Sequence, residues 1–134
     1  MIQNASDDFS RYRILIVFIF FIYFLIGVNI FRDYGISWDE HIQRLTGQVS
    51  LKYVTDKHPL LLNYPDRYYG SIFEMLLVVG EKVLKIERDT RAVYLMRHFL
   101  TFLLCYIGTV FFYKLNKIIF HSRKWALLST IMLI

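Results

Sequence analysis

The sequence predicts an all-α, polytopic membrane fold, and three observations carry that prediction. Residues 14–31 form an apolar run without a charge. Residues 99–113 form a second uncharged run. Lys and Arg flank both runs instead of spreading through them. Hydrophobic residues make up 56% of the 134 and charged residues 20%, so the two classes are segregated along the chain. About 18 apolar residues are enough for a spanning helix. A surface helix of a soluble domain would carry polar residues along one face, and the first run has none until Asn29.

Residues 1–13 are polar and place Arg11 and Arg13 just ahead of the first run, so they read as a cytoplasmic N-terminus. Residues 14–31 are transmembrane helix 1. The run is too long for the apolar core of a cleaved signal, and no small-x-small site follows it, so it reads as an uncleaved anchor. Asn4-Ala5-Ser6 matches a glycosylation sequon, but its cytoplasmic placement discounts it.

Residues 32–91 are too long for a turn and contain no run long enough to span. Two interfacial helices are expected within them. The first covers about 37–54. Ser37-Trp38-Asp39-Glu40 has the form of a capping box, with a hydroxyl at the N-cap and a carboxylate three residues on. Trp38, Ile42, Leu45, Val49 and Tyr53 then recur at helical spacing as one apolar face. Pro59 and Pro65 punctuate the linker. The second helix covers about 71–86, where Glu74, Glu81, Lys82 and Lys85 interrupt an apolar core, a pattern suited to the membrane interface. Trp38, Tyr64, Tyr68 and Tyr69 fit an interfacial aromatic belt.

Residues 92–113 are transmembrane helix 2, with Arg97 and His98 at or just inside one interface. Residues 114–124 form a basic connection carrying Lys114, Lys117, Arg123 and Lys124. Residues 125–134 begin a third span that stops short at Ile134, so the chain reads as the N-terminal piece of a longer protein. The two short basic segments face the cytoplasm by the positive-inside rule. The long loop, with nine acidic residues balancing its cations, faces outward.

The net charge of +5 does not indicate nucleic acid, because the cations flank apolar runs and form no stripe. Cys105 is the single cysteine, so no intrachain disulfide forms.

The chemistry-bearing segment is residues 33–40, just outside the first span. Asp39 and Glu40 sit at the start of a helix, where neighbours point about 100° apart. The capping box assigns Glu40 to the cap and leaves Asp39 free. A helix N-terminus favours its ionised form, as a general base requires. The same acidic pair also reads as ordinary helix capping. His41 beside the pair makes no metal site, because consecutive helical ligands diverge. Tyr64, Tyr68 and Tyr69 read as sugar-stacking rings or as interfacial anchors.

Taken together, the first span, the short exit, the Gly35-x-x-x-Asp39-Glu40 segment and the amphipathic loop helix resemble the start of GT-C superfamily membrane glycosyltransferases. Protein O-mannosyltransferases and lipid A aminoarabinose transferases are the nearest types. The motif likeness rests on residues 33–47, on Arg97-His98-Phe99-Leu100, and on Gly108 and Tyr113. The architectural likeness covers nearly the whole chain, the motif likeness about a quarter. The resemblance implies inverting transfer of a sugar from a polyprenyl-phosphate donor to an extracytoplasmic acceptor hydroxyl on a protein, lipid or glycan. It implies that Asp39 is the catalytic base, that Glu40 supports it, and that Arg97 meets the donor phosphate. Arg97 also reads as a snorkelling interfacial residue. No cofactor is evident. A divalent metal would need ligands beyond Ile134. The competing reading is a non-enzymatic membrane component, a transporter portion or an assembly subunit.

Overall fold

The computed structural model describes the backbone from Ile2 and the side chains from Tyr12, both to Ile134. Asn4, Ser6 and Arg11 lie outside the described side chains. Among the described residues the chain is all-helical. α1 (Ile2–Ile30) is followed by α2 (Glu40–Asp56), a 3-10 helix (Pro59–Asn63), α3 (Ile72–Val83), α4 (Thr90–Phe120) and α5 (Arg123–Ile131). Two helices are long and apolar enough to cross a membrane: α1 over Tyr12–Ile30, and α4 over Thr90–Phe120. The chain folds as two compact units, residues 1–32 with 101–134, and residues 33–100.

In the first unit, α1 meets the later turns of α4 through rings. Phe20 packs edge-on against Tyr106 at 6.2 Å and Tyr113 at 5.9 Å, and Phe24 against Tyr106 at 5.3 Å. Edge-to-face pairs of this kind add to the area they bury. At Gly27 a side chain would run into the ring of Phe102, so the glycine lets that ring sit against α1. Three polar residues of these helices bond back to their own backbones: Asn29 to the Leu25 carbonyl, Thr109 to Cys105 and Asn116 to Phe112. Apolar surroundings require such internal satisfaction.

The basic connection expected over 114–124 is mostly helix. α4 continues through Lys114 and Lys117, because lysine is a good helix former and ends an apolar face, not a helix. The break is confined to His121, at φ 48°, and the extended Ser122.

The second unit packs α2, α3 and the first turns of α4. α3 approaches α2 so closely that a Cβ on Gly47 would lie 2.7 Å from the Glu74 carbonyl oxygen. The buried side of α2 is accordingly its small-residue side, Thr46, Gly47, Val49 and Ser50. The apolar face expected there is only partly used: Val49 is buried, while Trp38 is 92% exposed and Ile42 and Leu45 are exposed. α3 buries Leu77, Val78 and Glu81 and leaves Ile72, Leu76, Val79 and Val83 bare along its other side.

The boundaries have local causes. α3 ends in a Schellman turn: Lys85 is left-handed at φ 57°, its N–H donates to the Lys82 carbonyl, and the Ile86 N–H donates to the Glu81 carbonyl, both at 3.1 Å. α4 opens on Asp89, whose Oδ1 accepts the Ala92 N–H at 3.0 Å. α2 begins at Glu40, with Asp39 in the N-cap position and no side-chain cap bond. The capping box read from 37–40 is therefore not formed, because the Ser37 hydroxyl and the Glu40 carboxylate bond to side chains and not to the backbone N–H groups of the first turn.

Candidate active site

The entrance to α2 organises a small polar cluster. The Ser37 hydroxyl lies 2.8 Å from Asp39 Oδ1 and 3.2 Å from Glu40 Oε1, so its single O–H donates chiefly to Asp39 and is shared with Glu40 over the longer contact. One turn into α2, the Gln43 amide donates to Asp39 Oδ2 at 2.8 Å. Each Asp39 oxygen thus has one donor. Each keeps acceptor capacity, because a carboxylate oxygen offers two lone pairs.

Glu40 turns to a different side, as the angular separation of about 100° between helical neighbours requires. Both of its oxygens lie 3.1 Å from Nε2 of His98, on α4. A carboxylate only accepts, so Nε2 carries the proton of that contact. The other imidazole nitrogen, Nδ1, is buried with no hydrogen-bond partner among the described residues. Tyr34 packs edge-on against the His98 ring at 6.1 Å.

Asp39 opens onto a cleft of about 410 Å³. α2 supplies Gln43 and Thr46 to its wall, the segment before α3 supplies Asp66 and Tyr69, and α3 supplies Glu74. Of the three tyrosines read as stacking or anchoring rings, only Tyr69 reaches this cleft. Tyr64 pairs with Thr46, hydroxyl to hydroxyl at 3.4 Å. Tyr68 is held by Arg67, which donates to its hydroxyl at 2.7 Å.

Arg97 belongs to a different structure. It is 4% exposed and lies between two carboxylates of α3, Glu74 and Glu81. Glu81, itself 1% exposed, also accepts from Nε and Nη2 of Arg44 at 3.0 and 2.8 Å. Two arginines and two glutamates from α2, α3 and α4 thus neutralise one another at the helix junction. A buried charge needs such partners.

Sequence reasoning singled out Asp39 and Glu40 but missed Ser37 as their bridge, His98 as the partner of Glu40, and Gln43 and Arg44. One signal was present. Glu74 and Glu81 are seven residues apart, two helical turns, and so share a face of α3 with the apolar Leu77 and Val78. Acids on an apolar face call for buried cations.

Compared with protein-family models, curated proteins and solved structures, the chain has no match among any of them.

Proposed function

We propose that this chain supplies the base-bearing part of an integral membrane glycosyltransferase, which transfers a sugar from a polyprenyl-phosphate donor to an extracytoplasmic acceptor hydroxyl. The observation that carries the reading is the setting of Asp39. Its carboxylate stands at a helix N-terminus, is oriented by two donors, and borders an open cleft of mixed polar and apolar lining, large enough for part of a sugar. In this reading the acceptor O–H gives its proton to Asp39 as the oxygen attacks the anomeric carbon. The bond from that carbon to phosphate breaks on the opposite side, and the lipid phosphate leaves with the electron pair. The configuration inverts. Glu40 sets the geometry around the base. Arg97 is assigned to the helix junction and not to the donor phosphate, because two carboxylates already engage it.

α1 and α4 are the spans in this account. Most of their apolar surface is left uncovered within the chain, which supports this reading because lipid would cover it. Arg13, Lys114, Lys117 and Lys124 then mark the cytoplasmic side, and residues 33–89 lie outside. The bare side of α3 and the exposed Trp38 rest at the outer interface. The test is incubation of membranes containing the complete gene product with a radiolabelled polyprenyl-phosphate sugar. Label should pass to an acceptor with inverted anomeric configuration. Membranes that consume no donor above an empty-vector control would reject the reading.

A further inference from the structure

We infer that His98 is a positioning residue for Asp39, acting through Glu40 and the Ser37 hydroxyl; this rests on the proposed role of Asp39 as base. The contacts form one chain. His98 Nε2 meets both Glu40 oxygens at 3.1 Å, Ser37 Oγ touches Glu40 Oε1 at 3.2 Å and Asp39 Oδ1 at 2.8 Å, and Gln43 closes the far side of Asp39 at 2.8 Å.

The ends of this chain differ in kind. Asp39 is exposed beside the cleft, where a carboxylate without fixed contacts would sample several rotamers. His98 sits on the long helix α4, and its side chain is 11% exposed. The chain therefore transmits the placement of a rigid, half-hidden ring to a solvent-facing carboxylate. Symmetric contact with both Glu40 oxygens fixes the plane of that carboxylate, and the plane fixes where Ser37 must sit to reach both acids. Among the described residues Nδ1 has no hydrogen-bond partner, so the contact with Glu40 runs through Nε2 alone. A side chain with a single N–H at the Nε2 position is sufficient for this role.

That last property makes the inference testable. Glutamine places an amide N–H near the Nε2 position, whereas leucine fills the space without a donor. In the complete gene product, His98→Leu and Ser37→Ala should each lower kcat by about ten- to a hundredfold, the scale of a displaced reacting group. KM for the donor and binding of the donor lipid should be unchanged. His98→Gln should restore at least a third of kcat. Ser37 is exposed, so its alanine variant isolates the bridge from any folding defect. A second readout needs no activity. In spectra of ¹⁵N-histidine-labelled protein, the His98 signal, assigned by its loss in His98→Gln, should show the Nε2–H tautomer and should move in Glu40→Gln. Undiminished kcat in both His98→Leu and Ser37→Ala, with Asp39→Asn impaired, would overturn this inference alone. So would a His98 signal indifferent to Glu40→Gln. Absence of transfer by the unmodified protein would overturn the proposed function and this inference together.

Discussion

Arg97 donates to Glu81 at 3.3 Å with both side chains sealed from solvent, and this pair ties α4 to α3 while Arg44 brings in α2. Removing one member leaves an uncompensated buried charge, which costs about 3–5 kcal/mol. Arg97→Met and Glu81→Ala should therefore raise amide hydrogen exchange in α2 and α3 by two orders of magnitude or more. Arg97→Lys should fall between, because it keeps the charge and loses the planar fork. Normal protection in Arg97→Met, with weakened donor-lipid binding, would return Arg97 to the phosphate.

Gly47→Ala tests the closeness of α2 and α3. In an open helix the change would stabilise by about 1 kcal/mol. Here the new Cβ meets the backbone at Glu74, 2.7 Å away, and a backbone cannot swing aside as a side-chain tip can. Overpacking of this kind costs about 1–3 kcal/mol. The thermal midpoint of the detergent-solubilised protein should fall. A rise would show that the two helices are not in this contact.

The proposed topology places Thr55 and Ser122 on opposite sides of the membrane. In a Cys105→Ser background, a membrane-impermeant maleimide should label Thr55→Cys on intact cells and Ser122→Cys only after permeabilisation. Thr55 is exposed, so access is governed by side and not by burial. The reverse pattern would reject both the topology and an extracytoplasmic transfer.

The bare side of α3 gives a finer test of placement. A nitroxide attached after Leu76→Cys should collide with oxygen more than with a water-soluble chelate, and one attached after Lys82→Cys should show the opposite. Both positions are exposed in the structure, so the contrast reports lipid against water. Equal accessibility to the chelate would remove α3 from the interface.

The helices were legible in the sequence where apolar periodicity is strong. α1 and α4 contain the expected apolar runs, but α1 already begins at Ile2 and α4 continues to Phe120, while α2 and α3 overlap the ranges 37–54 and 71–86. The errors share one cause, which is that local signals were read without their distant partners. Glu40 looked like a cap because Ser37 stands three residues before it; its actual partner, His98, is 58 residues away. Glu74 and Glu81 looked like interfacial interruptions, whereas Arg97 pairs with both and, with Arg44, buries Glu81. Lys114 and Lys117 looked like a loop because charge ends an apolar run, although nothing in them ends a helix. The capping-box pattern left Asp39 without partners, whereas Ser37 and Gln43 hold it and Ser37 and His98 hold Glu40.

The central claim is that Asp39 is the base, and its direct measurement is transfer from a labelled polyprenyl-phosphate sugar by purified complete gene product carrying Asp39→Asn, with donor binding assayed separately. A carboxamide keeps the shape of the carboxylate and cannot take the proton. Turnover should fall by about two to four orders of magnitude with donor binding intact. Glu40→Gln should fall less, because an amide oxygen can still accept from His98. Transfer at the unmodified rate in Asp39→Asn, or a larger loss in Glu40→Gln than in Asp39→Asn, would contradict the assignment.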